Sequence, residues 1–212
     1  MILEGDKMAE LAQLLAQSAQ MHSHLCPRQI LGARMGLYAG KILALDLPQT
    51  NKRLHTFVET DGCAADGISV ATGCWLGRRT LHLMDFGKIA GTFVDSRTGQ
   101  AVRIYPHPHC RQDALQYAPD ARNKYQAQLA AYQIMPDESL FVAQNVKLTV
   151  SLEAIISRKA ARAFCQRCGE EIKNEREVFQ EGEVLCRGCA GEAYYLLQEP
   201  AFRVGAMADY LT

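Results

Sequence analysis

The sequence carries no excess of either charge: 23 basic and 23 acidic residues cancel over 212 positions, and neither sign forms a long run. Such a balance does not draw a protein toward polyanions, so nucleic acid is not an expected partner. The chain also lacks any apolar stretch near the roughly 18 to 20 residues needed to cross a bilayer. Its opening, MILEGDKMAELAQ, reads as the start of an amphipathic helix and not as a charged-then-apolar signal. The expectation is a cytoplasmic protein with no membrane partner. No internal repeat or low-complexity tract is present, and the length suits one ordinary domain of about 150 residues with a small appendage.

What the sequence does have is cysteine. Cys165 and Cys168 form one Cys-x-x-Cys knuckle and, after seventeen residues, Cys186 and Cys189 form another. A two-residue gap turns both sulfurs of a knuckle toward one point, and the intervening stretch is long enough for a hairpin that closes a tetrahedron. Four thiolates leave no open position, so a structural zinc is expected. A pair of disulfides is disfavoured in reducing cytosol. A segment of about 30 to 35 residues buries too little apolar surface to fold alone, which gives the metal its purpose. Between Arg158 and Tyr195 there are seven basic and seven acidic residues, and four thiolates on one zinc add about two negative charges, so phosphate binding by this module is disfavoured.

Periodicity predicts a helix over residues 7–20, with Leu11, Leu14 and Leu15 on one face. A second runs from Pro27 to about Leu45 and carries Gly32, Gly36 and Gly40 in one row. Each such Gly costs about 1 kcal/mol against Ala, so the row implies another backbone in close approach, within the chain or across a dimer. Residues 54–59 predict a strand, 61–72 a short helix stopped by Gly73, and 81–84, 89–94 and 101–105 further strands. Helix is expected over 120–133, strands over 140–142 and 146–152, a basic connector over 155–163, and a last helix over 190–198. Without βαβ regularity, the fold class is an α+β core followed by a small four-cysteine zinc-ribbon or treble-clef-like domain. The division is expected at residues 1–158 for the core and 159–212 for linker, module and tail.

The second cysteine set opens with His22-Ser23-His24-Leu25-Cys26-Pro27. In an extended segment, residues of period two share a face, and Pro27 biases its predecessor that way, so His22, His24 and Cys26 could converge on one metal. Imidazole with thiolate suits zinc or another borderline-soft ion. Cys26 and Cys63 both precede or open helices, where the dipole favours a thiolate. The bland alternative makes Cys63 and Cys74 small core residues and the histidines a helix end.

The segments HSHLCPRQILGARMG, VETDGCAADGISVATGCWLG and DFGKIAGTFVDSRTGQAVRI resemble the FmdE family, named for the E subunit of formylmethanofuran dehydrogenase. The resemblance spans about residues 20 to 105. It implies an α+β core that tends to form intertwined homodimers, a His/Cys cleft that can hold a metal, and a C-terminal zinc module. The family's H-x-H-x-C-P falls on His22, His24, Cys26 and Pro27, and its Glu-Thr-Asp-x-Cys on Glu59, Thr60, Asp61 and Cys63. Its next acid falls on Asp66, its Gly-Cys on Gly73 and Cys74, and its Gly-Lys on Gly87 and Lys88. The chain departs from the pattern at Arg28, where the family usually has Gly, and at Trp75, Arg78 and Arg79, which place a cation and an aromatic near the cleft. Pterin-dependent reduction belongs to other subunits of that enzyme, and nothing here reads as a pterin or iron–sulfur framework.

The expected function is a metal-dependent enzyme or metal-handling protein. Its core cleft would hold a second metal ion, taken to be zinc, on His22, His24, Cys26 and Cys63. Cys63, Asp66 and Lys88 are the catalytic candidates: Asp66 or Glu59 as proton shuttle, Lys88 holding an anionic substrate or pairing with Asp66. The alternative is a non-catalytic subunit of an oxidoreductase complex docking through the zinc module. A third reading makes Cys63 a metal-free nucleophile with His24 as base. Tyr105-Pro106-His107-Pro108-His109-Cys110 is a weaker His/Cys cluster, read mainly as an exposed polar loop.

Overall fold

A computed structural model describes residues 4–157 and 161–196. The chain divides into two compact units, residues 1–152 and 153–212, a boundary six residues before the expected one. In the first, α1 (Glu4–His22) and α2 (Pro27–Leu43) lead into β1 (Leu54–Val58) and α3 (Cys63–Thr72). A single 3-10 turn (Leu76–Arg78) precedes β2 (Leu81–Leu83), and β3 (Gly91–Asp95) and β4 (Ala101–Pro106) follow. The unit continues through α4 (Cys110–Tyr117), α5 (Lys124–Ile134), α6 (Asp137–Leu140) and β5 (Phe141–Asn145). The helix α4 is absent from the sequence reading: it starts directly after a Pro-rich segment and is too short to show a full apolar stripe. Residues 146–151 are not a strand, and Leu152–Ser157 forms a short helix, α7.

The sheet order is β2-β1-β3-β4-β5. β1 pairs parallel with β2, while β1–β3, β3–β4 and β4–β5 are antiparallel. This mixed sheet with helices between its strands is the expected α+β arrangement. Leu54, Val58, Phe93, Val102 and Ile104 join one buried cluster with Leu11, Leu14 and Leu15 of α1 and Ile30, Leu31 and Met35 of α2. The connection from β3 to β4 is locked by Asp95, whose carboxylate accepts from Arg53 Nε and Nη2 at 2.8 and 2.7 Å and from the Arg97 N–H at 3.0 Å. The paired guanidinium holds that carboxyl well below the usual carboxylate range.

The glycine row is explained inside the chain. A Cβ on Gly32 would lie 2.1 Å from the Ala64 carbonyl oxygen, and one on Gly67 would lie 2.2 Å from that of Gln29. A Cβ on Gly36 would meet the Ala71 methyl at 2.7 Å. The backbones of α2 and α3 therefore touch, each helix supplying a glycine to the other. Gly67 carries no such signal in the sequence, because a lone Gly has no row to reveal it. This crossing places the start of α3 beside the start of α2, and with it Cys63 beside Cys26.

The second unit holds β6 (Arg162–Phe164) paired with β7 (Glu171–Lys173), and β8 (Val178–Gln180) paired with β9 (Glu183–Leu185), both antiparallel. A kinked helical turn over Gly188–Glu192 follows. The helix expected over 190–198 is limited to that turn, because Gly191 takes φ 105° and residues 193–196 are not helical; positions 197–198 lie outside the described residues. Cys165, Ile172 and Leu185 are its buried cluster among the described residues.

Candidate metal centre and core cleft

Each knuckle of the C-terminal cluster follows a strand and turns back on itself. Gly169 takes φ 78° and its N–H returns to the Cys165 carbonyl at 2.9 Å, a left-handed position that glycine adopts without strain. The Cys189 N–H donates to Cys186 Sγ at 3.3 Å, and Cys168 and Cys186 sulfurs stand 3.9 Å apart. All four sulfurs lie within 4.8 Å of one another. A tetrahedron with Zn–S bonds of about 2.3 Å has edges of about 3.8 Å, so the set fits zinc. Backbone N–H groups hold the Cys165 thiol down at about 6, while its crowded neighbours push Cys189 up to about 12. Only a cation lets all four ionise together. This is the structural zinc site expected from the spacing.

In the core, the α1–α2 junction carries the first motif. α1 runs through His22, and Ser23 turns the chain at φ 61°. The segment is thus not extended from His22 onward: period two fails there because the helix continues past its predicted end. His22 is half-buried and its Nε2 meets Asp66 Oδ2 at 2.5 Å, while His24 is exposed. Cys26 is buried and extended, at φ −125° and ψ 158°, as the residue before α2. Gln29, which no sequence motif marks, fixes it. The Cys26 N–H donates to Gln29 Oε1 at 2.7 Å, and Gln29 Nε2 donates to Ser18 O at 2.8 Å and to Ser18 Oγ at 3.1 Å. From α5, Tyr125 OH donates to Leu25 O at 3.3 Å.

Cys63 opens α3 behind Gly62, whose φ of 80° suits glycine. Its thiol sits beside Cys26 and is pushed up, first by burial and then by that neighbouring thiol, with the Arg28 charge partly offsetting. The sequence expectation of a lowered thiol at this helix start is corrected for the metal-free protein, because burial and a second thiol outweigh the dipole. Among the described residues, the C-terminal four-cysteine set is the group of three or more potential ligands gathered within 4.8 Å. The structure brings Cys26 to Cys63 and His22 to Asp66, as two pairs.

Other candidates resolve differently. Asp66 pairs with His22 and not with Lys88, which is exposed on the β2–β3 connection with its N–H on the Glu59 carbonyl at 3.1 Å. Glu59 is buried and gripped by Arg103 Nε and Nη2 at 2.6 and 2.7 Å. A carboxylate held twice by a guanidinium is a poor proton shuttle, so Asp66 is the acid left for that role. Cys74 is a core thiol, donating to Leu54 O at 3.4 Å, in line with the bland alternative for that residue. Cys110 is buried with its sulfur 3.9 Å from Tyr132 OH, and burial pushes its thiol up.

Cys63 lies on a cleft of about 630 Å³ lined also by Arg28, Asp61, Gly87, His107, Pro108 and Arg111. The Pro-rich segment read from sequence as an exposed loop therefore supplies a wall of the cleft through His107. Nothing local could show this, since β4 and α4 carry it there from more than forty residues away. A larger groove of about 710 Å³ runs past Leu11, Arg34, Leu45 and Met135. Its cations Arg34 and Lys41 are engaged by Asp137, and among the described residues its lining has no thiol or imidazole.

Fold and sites define a two-unit metal-binding protein, an α+β core with a thiol-bearing cleft joined to a four-cysteine zinc module. Residues 21–142 match the family described as FmdE, molybdenum formylmethanofuran dehydrogenase operon, and the chain belongs to that family. Residues 160–195 match the prokaryotic dksA/traR C4-type zinc finger. Over 105 residues the chain is 34% identical to a "Probable S-adenosyl-L-methionine-binding protein" of Archaeoglobus fulgidus, covering 48% of this chain and 29% of that protein. An FmdE-like protein of the tungsten formylmethanofuran dehydrogenase type, from Syntrophus aciditrophicus, has the same fold, with a TM-score of 0.59 over 88% of this chain and 95% of that one at 21% identity.

Proposed function

We propose that the core cleft is a second metal site and that the protein is a metal-dependent enzyme acting on a small molecule. The observation that carries this reading is the paired thiols of Cys26 and Cys63 at the edge of a 630 Å³ cleft. A cavity of that size suits a small ligand and exceeds what metal storage needs. Cys26 and Cys63 would anchor the ion, zinc being the expected one, and His22 or His24 would complete the set. A zinc so held supplies Lewis acidity at an open coordination position. Around it, Gln29 holds the Cys26 backbone in place. Asp66 fixes the tautomer of His22 and is the group able to take a proton from it. Lys88, on the connection that also bears Gly87 of the cleft wall, is the candidate for drawing substrate in.

The test is metal content of the intact chain by elemental analysis. About two ions per chain are expected, falling to about one in Cys63→Ser and in Cys26→Ser with the C-terminal ion retained. One ion per chain, lost only on Cys186→Ser, would remove the core site.

A second reading, a non-catalytic accessory subunit of an oxidoreductase complex, draws on the zinc module's exposed Phe179 and Tyr194, 76% and 96% accessible, which suit a docking surface. Association as a homodimer is part of either reading and is open to light scattering. The S-adenosyl-L-methionine named for the Archaeoglobus relative stays with that protein, of which the match spans less than a third.

A further inference from the structure

Three helices begin at the Cys63 cleft. Arg28 is the second residue of α2, Cys63 the first of α3 and Arg111 the second of α4, and all three side chains line it. Both arginines are exposed, and among the described residues neither forms a salt bridge. Nearby carboxylates are already matched, Asp66 by His22 and Glu59 by Arg103. Asp61, exposed at the rim, is the one carboxylate in the lining among the described residues. The cleft is therefore left positive although the chain as a whole is neutral, and the positive ends of α3 and α4 add to it. A planar guanidinium with five donors is matched to carboxylate and phosphate oxygens, and two of them facing one cavity form a clamp for such a group.

We propose that the cleft binds a small molecule through an anionic group, a carboxylate or phosphate held by Arg28 and Arg111, with the remainder of the ligand against Cys63 and His107. This deepens the proposed reading by naming the substrate class, and rests on that reading for the reacting group. The anion clamp itself requires no metal.

The experiment is calorimetric titration of the intact chain with inorganic phosphate and, separately, malonate, each at constant ionic strength set by sodium chloride. Saturable binding of one or both is expected; whichever binds more tightly identifies phosphate or carboxylate as the preferred group. Arg28→Gln and Arg111→Gln should each weaken it about tenfold, the loss of one charge-assisted hydrogen bond, while Arg122→Gln, outside the cleft, should titrate as the parent. Two separate arginines guard against one variant failing to fold, which circular dichroism reports. Binding no stronger than chloride competition explains, or binding that survives both arginine changes, overturns the clamp. Phosphate held directly by metal would disappear in Cys63→Ser and persist in Arg28→Gln and Arg111→Gln, and that pattern also overturns it. Two ions per chain without anion binding would sink this inference and leave the metal site standing.

Discussion

The two units of this chain solve the same problem by opposite means. The first buries a cluster that runs from Leu11 to Phe141 and includes Phe93, Ile104 and Tyr132. The second buries Cys165, Ile172 and Leu185 among its described residues, one of them a ligand. Apolar area scales with chain length, so a long segment can offset its conformational entropy by burial while a short one must find another source. In the second unit that source is the ion, and its four sulfurs converge into one set. In the first unit burial suffices for the fold, and the potential ligands stay in pairs, Cys26 with Cys63 and His22 with Asp66. A metal that builds a structure needs its ligands gathered, whereas a metal that works on a substrate leaves room.

Removing the metal breaks the comparison most sharply. Chelation or Cys186→Ser withdraws a binding free energy on the order of 10 kcal/mol from the small unit. Limited proteolysis should then cut between residues 161 and 196 while the core resists. Core cleavage at the same rate would show that the units are not independent in stability.

The next largest effect falls on the core's own staple. Gly67→Ala sets a methyl 2.2 Å from a backbone oxygen that cannot rotate away, so α2 and α3 must separate, at a cost of about 3 kcal/mol or more. Denaturant unfolding should show the loss, and metal content should fall toward one ion per chain as Cys26 and Cys63 part. Stability equal to the parent would show that the helices do not touch as described.

The smallest effect is on pH dependence. His55 and His82 stack on adjacent strands with Nδ1 and Nε2 3.3 Å apart, and burial, with the charge of the partner ring, pushes His82 down to about 4, while burial lowers His55 as well. Both stay neutral in the folded chain while the unfolded chain takes up protons below about 6.5. Stability is therefore intact above about pH 6.5 and declines as the pH falls toward 4. His82→Phe should flatten part of that decline in thermal melts; an unchanged slope would assign it to other groups. The zinc unit, whose ligands also protonate in acid, should lose its ion over its own range, and the ion's release can be followed separately.

Much of this is legible in the residues. The four knuckle cysteines announce their geometry because ligand spacing is a local property. Residues 54–58, 63–72 and 91–95 show their elements through periodicity, with Gly73 ending its helix in the left-handed region as expected. The glycine row correctly signals a close backbone. What it cannot say is whose: Gly67 of the same chain answers, and no partner copy is needed to explain the row.

From residues alone follow the fold class and the zinc module, because each rests on local chemistry or short-range spacing. Three-dimensional packing was required to send His22 to Asp66, to spend Glu59 on Arg103, and to gather Arg28, His107 and Arg111 around one cleft with Cys63. Those meetings join residues tens of positions apart. They depend on where sheet register and the α2–α3 crossing carry each helix start, and no single segment encodes that.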